Sequence, residues 1–330
     1  MRERLVEYLA CPDCGGELRL ACSRRDGWEI REGRLDCQNR EHSFPVVRGI
    51  PRLISSAVAD LSSEVAAGFG WEWNEFSEIR GEYRQQFLDW VKPLEPGDFA
   101  GKRVLEGGCG KGRHSALVAQ FGAKEVFSLD LGSAVEAAYR NTGHLENVHV
   151  IQADLCRPPL KTCADLAFSV GVLHHLPDPA VGFHALVDRL VPGGRIAVWV
   201  YGREGNEWIV DWVDPVRTRV TARMPRRVLY ELARPIGYLL AATAKGLYKP
   251  LADTVPSLHR QLFYRDYLTY IARLPAREIH SIVFDQLVTP VAYYLSRDEV
   301  AAWFSEARLG EFAIEQHNGN SWRAQARVLR

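Results

Sequence analysis

Val104-Leu105-Glu106-Gly107-Gly108-Cys109-Gly110-Lys111-Gly112-Arg113-His114 combines a strand ending, a glycine turn and the start of a helix, with an acid near the end of the strand. Glycines at such a turn let the backbone approach a ligand closely and open the next helix without a Cβ clash. A dinucleotide site presents the helix N-terminus to a pyrophosphate through G-x-G-x-x-G spacing. Counted from Gly108, the third glycine of that pattern falls on Arg113, so the spacing here is instead Glu-x-Gly-x-Gly-x-Gly. A carboxylate at Glu106 repels a diphosphate and favours a cationic amino group. S-adenosylmethionine carries such a group and no phosphate, so the stretch predicts that nucleoside rather than NAD.

Working outward, Glu125 to Asp130 is a short apolar strand ending in a carboxylate about 20 residues after the turn, where an acid accepts from ribose hydroxyls. Asp154 ends the next strand, Val148 to Asp154, and is placed to accept from an adenine amino group. Ala164 to Val172 is a further strand running into His174-His175-Leu176-Pro177-Asp178, and Leu190 to Arg195 turns into another, Ile196 to Val200. With these motifs in this order, Lys102 to Tyr201 resembles the class I S-adenosylmethionine-dependent methyltransferases, the broad group that includes the ubiquinone and menaquinone enzymes. The resemblance implies that Glu106 and the backbone of Gly108 and Gly110 hold the methionine part, Asp130 the ribose, and Asp154 with Leu155 the adenine. Gly107, Arg113, Leu131 and Val170 complete the expected contacts. The family more often has Asp at position 106, a departure that leaves the charge argument intact. The plainer reading of each acid is a solvated loop carboxylate.

At 330 residues the chain exceeds one ordinary domain. Its formal net charge is zero with 25% charged residues, so no global field draws it onto nucleic acid or an anionic membrane. Met1 to Leu9 is charged and mixed, without the apolar core of a signal peptide, and no apolar run reaches the length of a membrane span. The expectation is a cytoplasmic protein with reduced cysteines.

Of seven cysteines, Cys11-Pro12-Asp13-Cys14 has the C-x-x-C turn of a zinc knuckle, and Cys37 with His42 follows downstream. Leu35 to Pro51, ending in Phe-Pro and Gly-Ile-Pro, resembles the small zinc-ribbon partners of tRNA methyltransferases. Arg40 stands where that ribbon has its fourth cysteine. The expected zinc site is therefore Cys11, Cys14, Cys37 and His42, with Cys22 in reserve. The alternative is a ribbon that folds without metal on Leu18, Leu20, Trp28, Ile30, Leu35 and Phe44.

The expected organisation is a zinc ribbon (1–54), a helical linker or cap (55–98), a mostly parallel Rossmann-like α/β core with an antiparallel ending (99–201), a helical lid insertion (202–295), and a helix and hairpin completing the core (296–330). The linker's Gly68 to Phe76 is aromatic, and Trp71 is the candidate to face a sulfonium cation; the alternative is that this cluster packs the linker onto the core. Helical periodicity marks Val210 to Met224, Arg226 to Ala244 and Ser257 to Ala272, and the first two of these are rich in arginine. Ser296 to Glu299 is a capping-box start. Methyl transfer mainly requires alignment, with a base only when the nucleophile loses a proton. His175, His174 and His280 are the candidate bases, and Asp285 and Tyr293 are candidate pocket residues. Zero net charge favours a small-molecule or biosynthetic acceptor. A tRNA or ribosomal-RNA methyltransferase and a non-catalytic cofactor-binding partner are the alternatives. Oligomeric state is not legible.

Overall fold

The computed structural model describes residues 1–58, 60–307 and 309–329. Ala59, in the expected linker, and Arg308 and Arg330, in the expected C-terminal segment, lie outside the described residues. The strands are β1 (Leu18–Asp26), β2 (Glu29–Cys37), β3 (Ser43–Val47), β4 (Ile50–Leu53), β5 (Arg103–Gly107), β6 (Glu125–Asp130), β7 (Val148–Ala153), β8 (Ala164–Val170), β9 (Leu190–Tyr201), β10 (Leu309–His317) and β11 (Ser321–Val328). They form one sheet in the order β1-β2-β3-β4-β7-β6-β5-β8-β9-β11-β10. From β4 to β9 every neighbour is parallel, whereas β11 pairs antiparallel with both β9 and β10. The parallel centre with an antiparallel ending matches the expected fold class.

Side-chain alternation explains why the central strands are apolar throughout. Val104, Val126 and Leu166 point to one face of the sheet and Leu105, Phe127 and Ala167 to the other, and both faces are covered. Strand β9 begins earlier than the sequence suggests: Leu190 already pairs with Ala164, and an irregularity between Ala164 and Leu166 absorbs Pro192-Gly193-Gly194.

The helices are α1 (Asp60–Glu75), α2 (Tyr83–Trp90), α3 (Pro96–Phe99), α4 (Arg113–Gln120), α5 (Ala134–Thr142), α6 (Pro179–Val187), α7 (Asp214–Arg219), α8 (Arg226–Thr243), α9 (Lys249–Thr254), α10 (Pro256–His259), α11 (Arg265–Ile271), α12 (Ala276–Val288) and α13 (Arg297–Glu306). Helix α13 starts with the expected capping box between Ser296 and Glu299. The 202–295 insertion is more broken than its periodicity implies. The first expected helix divides at Val220, and the third divides between α10 and α11, leaving α12 as an element of its own.

The cysteine-rich strands are not a detached bead. Strand β4 pairs with β7 through Arg52–Gln152 and Leu53–Ala153, and Leu35, Phe44 and Val46 share one core with Phe127 and Ile151. Arg52 donates to the Gln152 side-chain oxygen at 3.0 Å, and Gln152 donates in turn to the Leu131 carbonyl at 2.9 Å.

In the lid, α8 buries Leu229, Ala233, Gly237 and Ala241, one residue per turn. Gly237 permits the close approach of α12, since a Cβ there would lie 2.6 Å from the His280 Cα. Gly237→Val is expected to lower the thermal midpoint through an overpacking cost of about 1–3 kcal/mol. An unchanged melting curve would contradict this contact.

Candidate functional site

The turn after β5 is laced to the end of β6. Gly108 and Cys109 donate their N–H groups to the Leu129 carbonyl at 2.9 and 2.8 Å. The Asp130 carboxylate accepts from Gly110 N–H and Gly132 N–H, each at 2.9 Å. Gly108 has φ +81°, and a Cβ on it would meet Val172 at 2.3 Å, so glycine is required twice over. Burial pushes the Asp130 carboxyl up to about 6, against the pull of these two N–H groups.

Beyond the turn lies a cavity of about 600 Å³ lined by Gly108, Gly110, Arg113, Asp130, Leu131, Asp154, Leu155, Val170 and His175 among others. Ten of the sequence-derived candidates, Asp285 included, thus line one space. Asp154 accepts from Cys156 N–H at 2.9 Å. Arg113 lies over the rings of Tyr83, Trp90 and Trp73 at 4.9–5.5 Å.

Glu106 and Gly107 stand behind this wall. Glu106 is buried, accepts from Ser115 Oγ, and has its Oε1 3.3 Å from His114 Nδ1 but in no hydrogen bond. Burial raises its carboxyl to about 8. A Cβ on Gly107 would collide with Leu155 at 2.7 Å, so this glycine serves packing.

Trp71, His280 and His174 lie off the cavity wall. Trp71 packs against Tyr230 and Phe284 and does not line the cavity; Trp73 does, with its Nε1 3.0 Å from where a Cβ of Gly110 would sit. The helical phase of α1 turns Trp73, and not Trp71, toward the cavity. His280 donates from Nε2 to the Tyr230 carbonyl at 3.0 Å and faces Phe76, away from the cavity. His174 is fully buried and stacked on Tyr201 at 3.9 Å, likewise off the cavity wall.

His175 does reach the cavity. Its Nδ1 donates to the Val291 carbonyl at 2.8 Å, leaving Nε2 as the acceptor, and burial lowers its pKa to about 4, so it is neutral near pH 7. Beside it runs a hydrogen-bonded chain that the sequence did not reveal as a unit. Tyr294 donates to Gln286, Gln286 to Tyr201 and Tyr201 to Asp285, each at 2.9 Å. Burial raises Asp285 to about 6. Glu72 also lines the cavity, accepting from Ser281 at 2.8 Å while its second oxygen has no partner, and burial holds it well above the carboxylate range. The i, i+4 spacing of Ser281 and Asp285 on α12 was the available signal. Tyr293 instead turns outward to the Pro177 carbonyl.

Far along the sheet, one ligand atom from each of Cys11, Cys14, Cys37 and His42 lies within 4.8 Å of the others. Cys11 Sγ is 3.3 Å from His42 Nδ1 and Cys14 Sγ 3.4 Å from Cys37 Sγ. A tetrahedral ion with metal–sulfur bonds near 2.3 Å sets its ligand atoms about 3.5–3.8 Å apart, so the donor set fits one metal ion. Cys22 is exposed on β1 and outside the cluster.

Residues 105–198 match the family described as methyltransferase domain, and residues 2–49 the family described as Trm112p-like protein. The protein carries an S-adenosylmethionine-dependent methyltransferase domain behind a Trm112p-like module. Among similar curated proteins, the tRNA U34 carboxymethyltransferase of Idiomarina loihiensis is 29% identical over 119 residues, 34% of this chain and 37% of that one. The Klebsiella pneumoniae protein of the same name is 29% identical over 191 residues, 54% and 55% of the two chains. The chain thus spans about half or less of the length of these relatives. An O-methyltransferase family protein from Burkholderia thailandensis aligns with TM-score 0.47 and 12% identity, over 78% of this chain and 59% of that one.

The two tryptophans separate wall from scaffold. Trp73→Ala is expected to weaken S-adenosylhomocysteine binding by about tenfold, roughly 1.4 kcal/mol, and Trp71→Ala to lower the melting temperature with affinity kept. The opposite pattern in calorimetry would reverse the assignment.

Proposed function

We propose that this protein transfers the methyl group of S-adenosylmethionine to a small acceptor with an apolar or aromatic body held beneath the lid. The observation that carries this reading is the single cavity joining the glycine turn to Tyr201, Asp285 and the lid aromatics Trp208, Phe263 and Tyr267. Its volume lies in the range of small-molecule sites. Asp130 accepts from the ribose, Asp154 and Leu155 border the adenine, and Gly108, Gly110 and Arg113 take the methionine end, with Glu106 supplying field from behind. When bound, S-adenosylmethionine supplies a methyl group activated by a sulfonium. Asp285, oriented by the Tyr294–Gln286–Tyr201 chain, is the first candidate to take a proton from the acceptor, and His175 Nε2 the second.

A second reading, transfer to a tRNA nucleoside, is favoured by the names of the curated relatives. On those names alone RNA ranks ahead of the small molecule that net charge put first. The apolar lining of the cavity and the partial extent of the matches keep the small acceptor as the main reading. Radiolabelled S-adenosylmethionine offered with bulk tRNA and with a cellular organic extract decides between them. Label in the solvent-extractable fraction is expected. Label in tRNA, with steep salt dependence, would overturn it for the second reading. Binding without transfer to either would leave a partner protein.

Ligand binding should be linked to protons. Burial raises Glu106 to about 8 and Asp130 to about 6 in the free protein, and a cationic ligand pulls both back down. Between those values binding therefore releases protons, and affinity strengthens as pH rises. Calorimetry in buffers of different ionisation enthalpy reads this directly; heats independent of buffer would refute it.

We also assign Zn²⁺ to Cys11, Cys14, Cys37 and His42. Metal analysis should return about one zinc per chain, and Cys37→Ser should lose it and melt earlier. A well-folded metal-free wild-type protein would sink this assignment.

A further inference from the structure

The lid carries an apolar surface that its own fold does not cover. Along α8, Val228, Leu232, Ile236 and Leu239 recur at three- and four-residue spacing, so they form one stripe. This stripe lies beside the buried one, and its members are exposed, Leu239 by 70%. Trp212, 76% exposed, and Val216 and Val220 add to the outer surface of the same lid. A surface of this extent on a water-facing helix calls for an occupant.

Charge says which occupant. Arg219, Arg223, Arg227, Lys245 and Lys249 are exposed and make no ion pair among the described residues. The unpaired exposed acids between residues 211 and 254 are Asp211 and Asp253. The lid is thus locally basic in a chain of zero net charge. A second copy docked about a two-fold axis would set these cations against themselves. An exposed apolar helical stripe in a segment that also exposes unpaired Arg and Lys is the composition of helices that lie in an anionic lipid interface. The stripe is also continuous with the cavity: Ile236 and Phe263 are both exposed and both line it.

We propose that the outer face of the lid docks on an anionic lipid bilayer and turns the cavity mouth toward it, so that the acceptor is an amphiphile drawn from the membrane. The acceptor clause rests on the small-molecule reading above. Among the described residues no helix is long and apolar enough to cross a membrane, so the attachment is peripheral.

Flotation of the full chain on vesicles tests this. The protein should float with phosphatidylcholine vesicles containing phosphatidylglycerol and stay behind with phosphatidylcholine alone, and high salt should weaken the binding. Leu232→Glu with Leu239→Glu, on exposed positions off the cavity, should weaken flotation about tenfold or more. Arg219→Gln, Arg223→Gln and Arg227→Gln together should remove the preference for anionic lipid. Absence of flotation, or flotation unaffected by these changes, overturns the proposal. So does a dimer on size exclusion that Leu232→Glu and Leu239→Glu dissolve, or tRNA binding that the arginine changes abolish in a protein that never floats. S-adenosylhomocysteine binding, measured on the same preparations, keeps the two ideas apart. It should persist in every variant, and its loss in the wild type would sink the donor reading while leaving the docking surface standing.

Discussion

The site depends on one carboxylate. Asp130 closes the β6 end by taking the N–H groups of Gly110 and Gly132, and so fixes the glycine turn together with the Leu129 carbonyl, which takes the N–H groups of Gly108 and Cys109. Hydrogen bonds to a carboxylate are worth more than those to a neutral carbonyl because the acceptor is charged. The acid that shapes the turn is also one whose carboxyl burial pushes up to about 6.

Around that point the protein separates rigid from adaptable parts. The glycine turn, Asp154 and Leu155 sit at carboxyl ends of parallel strands buried on both faces, the crevice where open α/β sheets bind ligands. The far side of the cavity comes from α1 and α12, elements tied to each other by the Ser281 hydroxyl on Glu72. The two sides of the cavity are thus built from different parts of the chain. This division suits a scaffold on which one cofactor site serves many acceptors.

Much of this was legible in the sequence where a local rule was strong. The Glu-x-Gly-x-Gly-x-Gly run, the acids at strand ends, the Ser296 capping box and the four metal-type ligands each rest on chemistry confined to a few residues. The failures share a cause. Choosing Trp71 over Trp73 needed the rotational phase of α1, which is set by partners on α5 and α12 distant in sequence. Placing His280 needed the close crossing of α8 and α12. The Tyr294–Gln286–Tyr201–Asp285 chain joins β9 to the end of the lid, and no spacing rule spans such a distance. Tertiary contacts decided what periodicity left open.

The strand pairing at β4 and β7 has a further meaning. Arg52 holds Gln152, and Gln152 holds the carbonyl of Leu131, a residue of the cavity wall. The knot of Cys11, Cys14, Cys37 and His42 and the cavity rim thereby share one sheet, with Arg52 and Gln152 as the side-chain link between them.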